Sequence, residues 1–171
     1  MIKPSVISGV AVAAALCGCA QPTAPTAPAT VTAKEEAAAA RQRHDYVTAE
    51  RLFRSLAERG DASSQHFLGR MYENGEGVPR NLVEAAKWYR LAADQGHTGA
   101  QFYLGSLYAS GDGVPRDYVQ AYMWLDLSST GQQDFFAAGK ISEITAKMTP
   151  AQITEAKMLA GAWQPKKSDR S

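Results

Sequence analysis

Apolar residues past residue 61 fall at helical spacing. Phe67, Leu68, Met71 and Tyr72 stand at i, i+1, i+4 and i+5, and Tyr103, Leu104, Leu107 and Tyr108 repeat the stripe. A stripe of that period puts one face of a helix into a core. The likeness runs further, because two segments superimpose without a gap when one is shifted by 36 positions. Gln65, Leu68, Gly69, Tyr72, Gly75, Gly77, Val78, Pro79, Arg80, Ala85 and Trp88 recur as Gln101, Leu104, Gly105, Tyr108, Gly111, Gly113, Val114, Pro115, Arg116, Ala121 and Trp124. The same shift backwards sets Asp45, Ala49 and Gly60 under Asn81, Ala85 and Gly96, so a partial copy precedes two full ones.

Each copy divides into two helices. Asn81 followed by Glu84, and Asp117 followed by Gln120, are capping-box patterns that start the second helix. Thr98 with Gln101 reads as the start of the first helix in the later copy. Pro79 and Pro115 keep that first helix from running on, and the glycines before them permit the left-handed backbone that ends it. Gly69 and Gly105 lie mid-helix, where glycine costs about 1 kcal/mol relative to alanine. Their recurrence predicts a close helix contact, with Ala49, Ala85 and Ala121 as its small-residue counterparts and Trp88 and Trp124 filling the space between hairpins. Near the C-terminus, Thr149 as N-cap and Pro150 at the first helical position open a closing helix that runs to Trp163, with Gln152 one residue short of a capping box.

These elements predict an all-α fold of antiparallel helix pairs over 33–163. It comprises a capping pair 33–60, repeats 61–96 and 97–131, and C-terminal capping helices 132–163. The pattern L-G-x-x-Y-x-x-G-x-G-V-P followed by A-x-x-W resembles the sel-1-like repeat family of tetratricopeptide-related α-solenoids, over roughly residues 45–131. The resemblance implies a right-handed superhelix whose concave surface is lined by the first helix of each pair, and a role in binding another protein or peptide.

Residues 1–18 read as a secretory signal, with Lys3 followed by an apolar stretch from Val6 to Leu16. That stretch is shorter than the roughly 20 residues a membrane span needs. Leu16-Cys17-Gly18-Cys19 resembles the lipobox of bacterial lipoproteins, with Cys19 as the acylated residue. An ordinary cleaved signal near Ala20 and a metal-binding Cys-x-Cys pair are the alternatives. With Ala20 after Cys19, the resemblance to lipoproteins that lack an Asp at that site implies the outer membrane, facing the periplasm. Within the linker 19–32, the stretch from Gln21 to Thr32, with Pro22, Pro25 and Pro28, is extended and semi-rigid, and at about 3.1 Å per residue spans some 35 to 40 Å. Lys166, Lys167 and Arg170 fall in a solvated tail, 164–171.

Composition narrows the function. Hydrophobic residues make up 45% and charged residues 20%, which excludes a mainly disordered chain. The net charge of +1 offers no bulk attraction to polyphosphate, so nucleic acid is not an expected partner. His44 and His97 fall at helix boundaries and read as solvent-facing turn residues. No H-E-x-x-H, G-x-S-x-G or S-x-x-K occurs, and the reading assigns no catalytic residue, cofactor or metal.

What varies between the copies points to binding instead. His66 stands against Phe102, Arg70 against Ser106 and Glu73 against Ala109, so His66, Arg70, Phe102 and Ser106 are the expected protein-binding face. Phe102 either joins the core or stands exposed as an interface anchor. The function expected is that of a membrane-anchored adaptor in periplasmic complexes. A cell-wall or β-lactam-binding protein is the second reading, because cysteine-rich relatives are known for it, although this chain lacks their helix-linking cysteines.

Overall fold

A computed structural model describes residues 32–129 and 134–166. The signal segment, Cys19 and almost all of the linker lie outside these residues, as do 130–133 and 167–171. The described residues form eight helices: α1 (Ala33–Gln42), α2 (Tyr46–Glu58), α3 (Ala62–Asn74), α4 (Leu82–Asp94), α5 (Thr98–Ser110), α6 (Tyr118–Ser128), α7 (Asp134–Thr145) and α8 (Pro150–Ala162).

Side-chain caps set most of the starts. Asp45, Asp61, Asn81 and Asp117 each accept backbone N–H bonds from the first turn that follows, satisfying donors that have no partner within the helix. Asn81 and Asp117 make only half of the expected capping box. Their own N–H groups donate to Tyr72 O and Tyr108 O, at 2.9 and 3.0 Å, and so tie the start of each second helix to the end of the first. Glu84 is left to pair with Lys87. The cap of α5 is His97 and not Thr98, with Nδ1 accepting from Ala100 N–H at 3.2 Å. His97 occupies the place that Asp61 holds one copy earlier, and a neutral imidazole nitrogen accepts as a carboxylate does. At α8 the box is complete, because Gln152 is the third helical residue: Thr149 N–H donates to Gln152 Oε1 at 2.9 Å, and Gln152 N–H donates to Thr149 Oγ1 at 3.3 Å.

Helices α1 and α2, α3 and α4, and α5 and α6 pack as pairs, and each second helix also packs on the first helix of the next pair. The mid-helix glycines are where the pairs close. A Cβ on Gly69 would stand 2.7 Å from the ring of Tyr89, and one on Gly105 would stand 2.9 Å from Leu125 Cγ and 3.0 Å from Ala121 O. The helix contact is as expected, and the residues it admits, Tyr89 and Leu125, each follow a tryptophan. Ala49, Ala85 and Ala121 are fully buried, as is nearly all of Trp124, while Trp88 is half-buried.

Two glycines in each connecting loop have separate tasks. Gly75 and Gly111 end their helices in the left-handed region, at φ +77° and +80°. Gly77 and Gly113, also at positive φ, press the loop onto the start of the preceding second helix. A Cβ at Gly77 would lie 2.6 Å from Tyr46 O, and one at Gly113 would collide with Leu82 O. The loop that joins two helices of one copy is thus also what seats that copy on its predecessor.

The C-terminal end departs from the pairing. Helices α7 and α8 both pack on α6 and make little contact with each other. After α8 the chain turns back: Trp163 meets Trp124 edge-on at 6.1 Å, Lys166 N–H donates to Asp94 O at 2.7 Å, and Lys166 Nζ pairs with Asp94 at 2.8 Å. The expected solvated tail is therefore held at its first residues, because Asp94 closes α4 and the negative end of that helix attracts a cation.

Candidate functional site

The expected face lies where α3 looks towards α5. Half-buried His66 stacks on His97 with ring centroids 4.6 Å apart and touches Tyr103 at 5.6 Å. Its Nε2 is buried without a hydrogen-bond partner. Burial pushes the His66 pKa down to about 3, with His97, Arg70 and Arg41 adding repulsion, so the ring is neutral at pH 7. Burial also lowers His97, and the neutral form is what lets it cap α5. His97 is therefore not the solvent-facing residue expected. His44 is exposed, at φ 61°, with Nδ1 2.8 Å from the Tyr46 hydroxyl.

Tyr103 is the centre that the sequence reading assigned to the apolar stripe alone. Arg70 lies over its ring at 5.7 Å, Phe102 meets it edge-on at 5.5 Å, and Tyr89 stacks on it at 5.2 Å. Tyr89 in turn donates to Glu73 at 2.5 Å, and its phenol is pushed far up by burial and by that carboxylate. His66, Arg70 and Phe102 thus gather round one ring. Ser106 does not join them, because its hydroxyl donates to Phe102 O of its own helix at 2.9 Å.

Of the two roles open to Phe102, the geometry gives it packing. It is half-buried against the cluster that holds Ala121, Leu125, Ile144 and Ala156. The corresponding His66 packs among the rings of His97, Tyr89 and Tyr103 and joins no aliphatic cluster. The difference between the copies therefore follows the different neighbours that each first helix faces.

Exposed aromatics occur elsewhere. Phe135 and Phe136 at the start of α7 are 85% and 63% exposed and meet edge-on at 5.9 Å. Both rings sit on the first turn of α7, next to Asp134 at the start of the helix, where neither joins a core cluster of the described residues. Met158 and Leu159 add an apolar strip on the outer side of α8. Among the described residues no group of three His, Cys, Asp or Glu side chains comes together to hold a metal.

Comparison with known proteins agrees with this architecture. The model of the Sel1 repeat matches residues 39–61, 62–97 and 98–131, more than half of the chain. The structure of a protective antigen of uropathogenic Escherichia coli with an SLR (Sel1-like repeat) fold superimposes with a TM-score of 0.72 at 33% identity, over 77% of this chain and 29% of the antigen. The chain thus spans under a third of that protein. A Sel1 repeat protein from Oxalobacter formigenes shares the fold at 23% identity, with a TM-score of 0.61 over 77% of this chain and 56% of the other. No curated protein matches the chain by sequence. The repeat is a scaffold that typically serves protein–protein interaction and is usually non-catalytic. With three matched copies, the paired helices that those copies predict, and the same fold in both solved structures, the chain belongs to the Sel1 repeat family.

Proposed function

We propose that this chain is a membrane-anchored adaptor of the bacterial envelope, tethered by acylated Cys19 to the outer membrane and binding another protein in the periplasm through the side lined by the first helices. The observation that carries the binding side is the exposure of Phe135 and Phe136, adjacent rings on α7 that the fold leaves in solvent. Exposed aromatic anchors dominate the energy of protein interfaces. Arg70 and the accessible part of His66, with Tyr103, Phe102 and Ser106, would supply the polar and aromatic surround along α3 and α5. The lipobox-like Leu16-Cys17-Gly18-Cys19 supports the anchor.

A photo-crosslinking residue at Phe136 or Ser106 in the full anchored chain should capture one protein reproducibly, and Phe136→Ala should lower the capture by the Ser106 probe at least tenfold. Cys19→Ser should move the chain from the membrane to the soluble fraction. Capture unaffected by Phe136→Ala would remove α7 from the interface, and a wild-type N-terminus beyond Cys19 by mass spectrometry would remove the anchor.

A further inference from the structure

The partial copy and the first full copy differ at one charged position whose partner is missing in the latter. In the partial copy Arg54 on α2 is neutralised by Glu50 one turn earlier, with Nε donating to Oε1 at 2.7 Å, while a second guanidinium nitrogen donates to the Tyr72 hydroxyl at 2.7 Å. The guanidinium also lies over the Tyr72 ring at 5.9 Å. Thirty-six residues on, Arg90 keeps everything but the carboxylate. It donates to the Tyr108 hydroxyl and lies over the rings of Tyr108 and Trp124, each at 5.4 Å. The residue in Glu50's place is Ala86. Asp94, one turn after Arg90, is engaged by Lys166, and Glu84 by Lys87. No carboxylate of the described residues pairs with Arg90.

Where the glutamate would lie, a hollow of about 230 Å³ opens, lined by Val83, Ala86, Arg90, Leu104, Gly113 and Val114. Its lining is mostly apolar, and Lys87 also lines it. Complete small-molecule sites run from about 300 to 1,000 Å³, so this volume suits one or two side chains better than a cofactor. A guanidinium is always charged and binds carboxylates through two parallel N–H bonds. We infer that the hollow beside Arg90 receives an acidic peptide segment of a partner, a glutamate carboxylate on Arg90 with an apolar neighbour against Val83, Leu104 and Val114. The partner would then supply in trans what Glu50 supplies within the partial copy. The inference rests on the protein-binding reading and adds a second contact on the side of the second helices.

The two copies also serve as each other's control. The full chain in detergent micelles, labelled at the arginine side chains, would be titrated with the peptide acetyl-Leu-Glu-Leu-amide and with its Gln counterpart, following the Arg Nε–H signals by NMR. The glutamate peptide should shift Arg90 and not Arg54, and bind at least tenfold tighter than the glutamine peptide. Ala86→Glu, which restores the internal carboxylate, should abolish the shift, as should Arg90→Gln for binding followed at the Val83 and Val114 methyl groups. Glu50→Ala should make Arg54 responsive. Equal affinity for the two peptides, a response of Arg54 equal to that of Arg90, or undiminished binding in both Ala86→Glu and Arg90→Gln would overturn the inference. Glutarate binding as tightly as the peptide would overturn the assignment to a peptide. Crosslinking at Phe136 with no peptide response at Arg90 would leave the adaptor standing and this pocket refuted, and the converse result would do the opposite.

Discussion

The two full copies of the repeat share a backbone and differ in what surrounds it. Gly69 and Gly105 both make room for the second helix, yet the first admits an aromatic ring, Tyr89, and the second an aliphatic side chain, Leu125. His66 in the first copy stacks among aromatic rings, and Phe102 in the second packs on the cluster of Leu125 and Ile144. The partial copy before them shows the same effect, because its Arg54 has a carboxylate partner that Arg90 of the first full copy lacks. Residues common to both copies hold the helices at fixed spacing, and residues that differ report the neighbour that each copy meets. Variation between copies is therefore evidence of a changed environment first, and of binding only where the changed residue also stays open to solvent.

Three measurements would break or sharpen that comparison, beginning with the loops. Gly113→Ala should cost roughly 3 kcal/mol in denaturant unfolding, because left-handed strain and a collision with Leu82 O act together. Gly75→Ala carries the strain alone, its nearest contact being 3.5 Å, and should cost about 1 to 2 kcal/mol. Equal losses would mean that the second loop glycine does not seat one copy on the other.

Next in size is Phe102→Ala, expected to lower stability by about 2 to 3 kcal/mol, somewhat below the cost for a fully buried phenylalanine. A loss under about 0.5 kcal/mol combined with lost crosslinking would return Phe102 to the role of interface anchor.

The third measurement, whose effect is spread over several pH units, is the acid response of the first full copy. Folded His66 takes a proton only near pH 3, against 6.5 in the unfolded chain, so its contribution is complete above pH 6.5 and is lost as the pH falls towards 3. The slope should approach 1.4 kcal/mol per pH unit for this one proton, at about the linkage limit. His66→Phe, which keeps a ring in the stack, should flatten the profile between pH 6.5 and 4 relative to wild type. An unchanged slope would place the acid sensitivity elsewhere.

Much of this fold was legible in the chain, for reasons that particular residues make plain. The 36-residue shift, the stripes around Leu68 and Leu104, and the caps at Asp45, Asn81 and Asp117 are local patterns, and local patterns survive in one dimension. His97 escaped because capping preferences favour serine, threonine, aspartate and asparagine, although its alignment with Asp61 was already visible. The hold of Lys166 on Asp94 spans 72 residues and has no counterpart in the repeat, so periodicity could not reveal it. The site was less legible than the fold. Tyr103 reads as one more stripe residue until the rings of Tyr89, His66 and Phe102 are seen to converge on it. Arg90 looks like Arg54 until the missing carboxylate is noticed one turn before it.

The seat made by Gly77 and Gly113 also constrains how such a chain can change over generations. Each loop runs through seven residues, 75–81 and 111–117, and its second glycine must arrive against one particular carbonyl, that of Tyr46 or Leu82. Inserting or deleting a single residue there would move the glycine off its seat and bring a side chain in its stead. A change in length that keeps both seats therefore has to come as a whole unit of 36 residues. The first pair shows the rule by its exception. Helix α1 has no earlier pair among the described residues to sit on, and its link to α2 has shrunk to Arg43, His44 and Asp45, with no glycine at all.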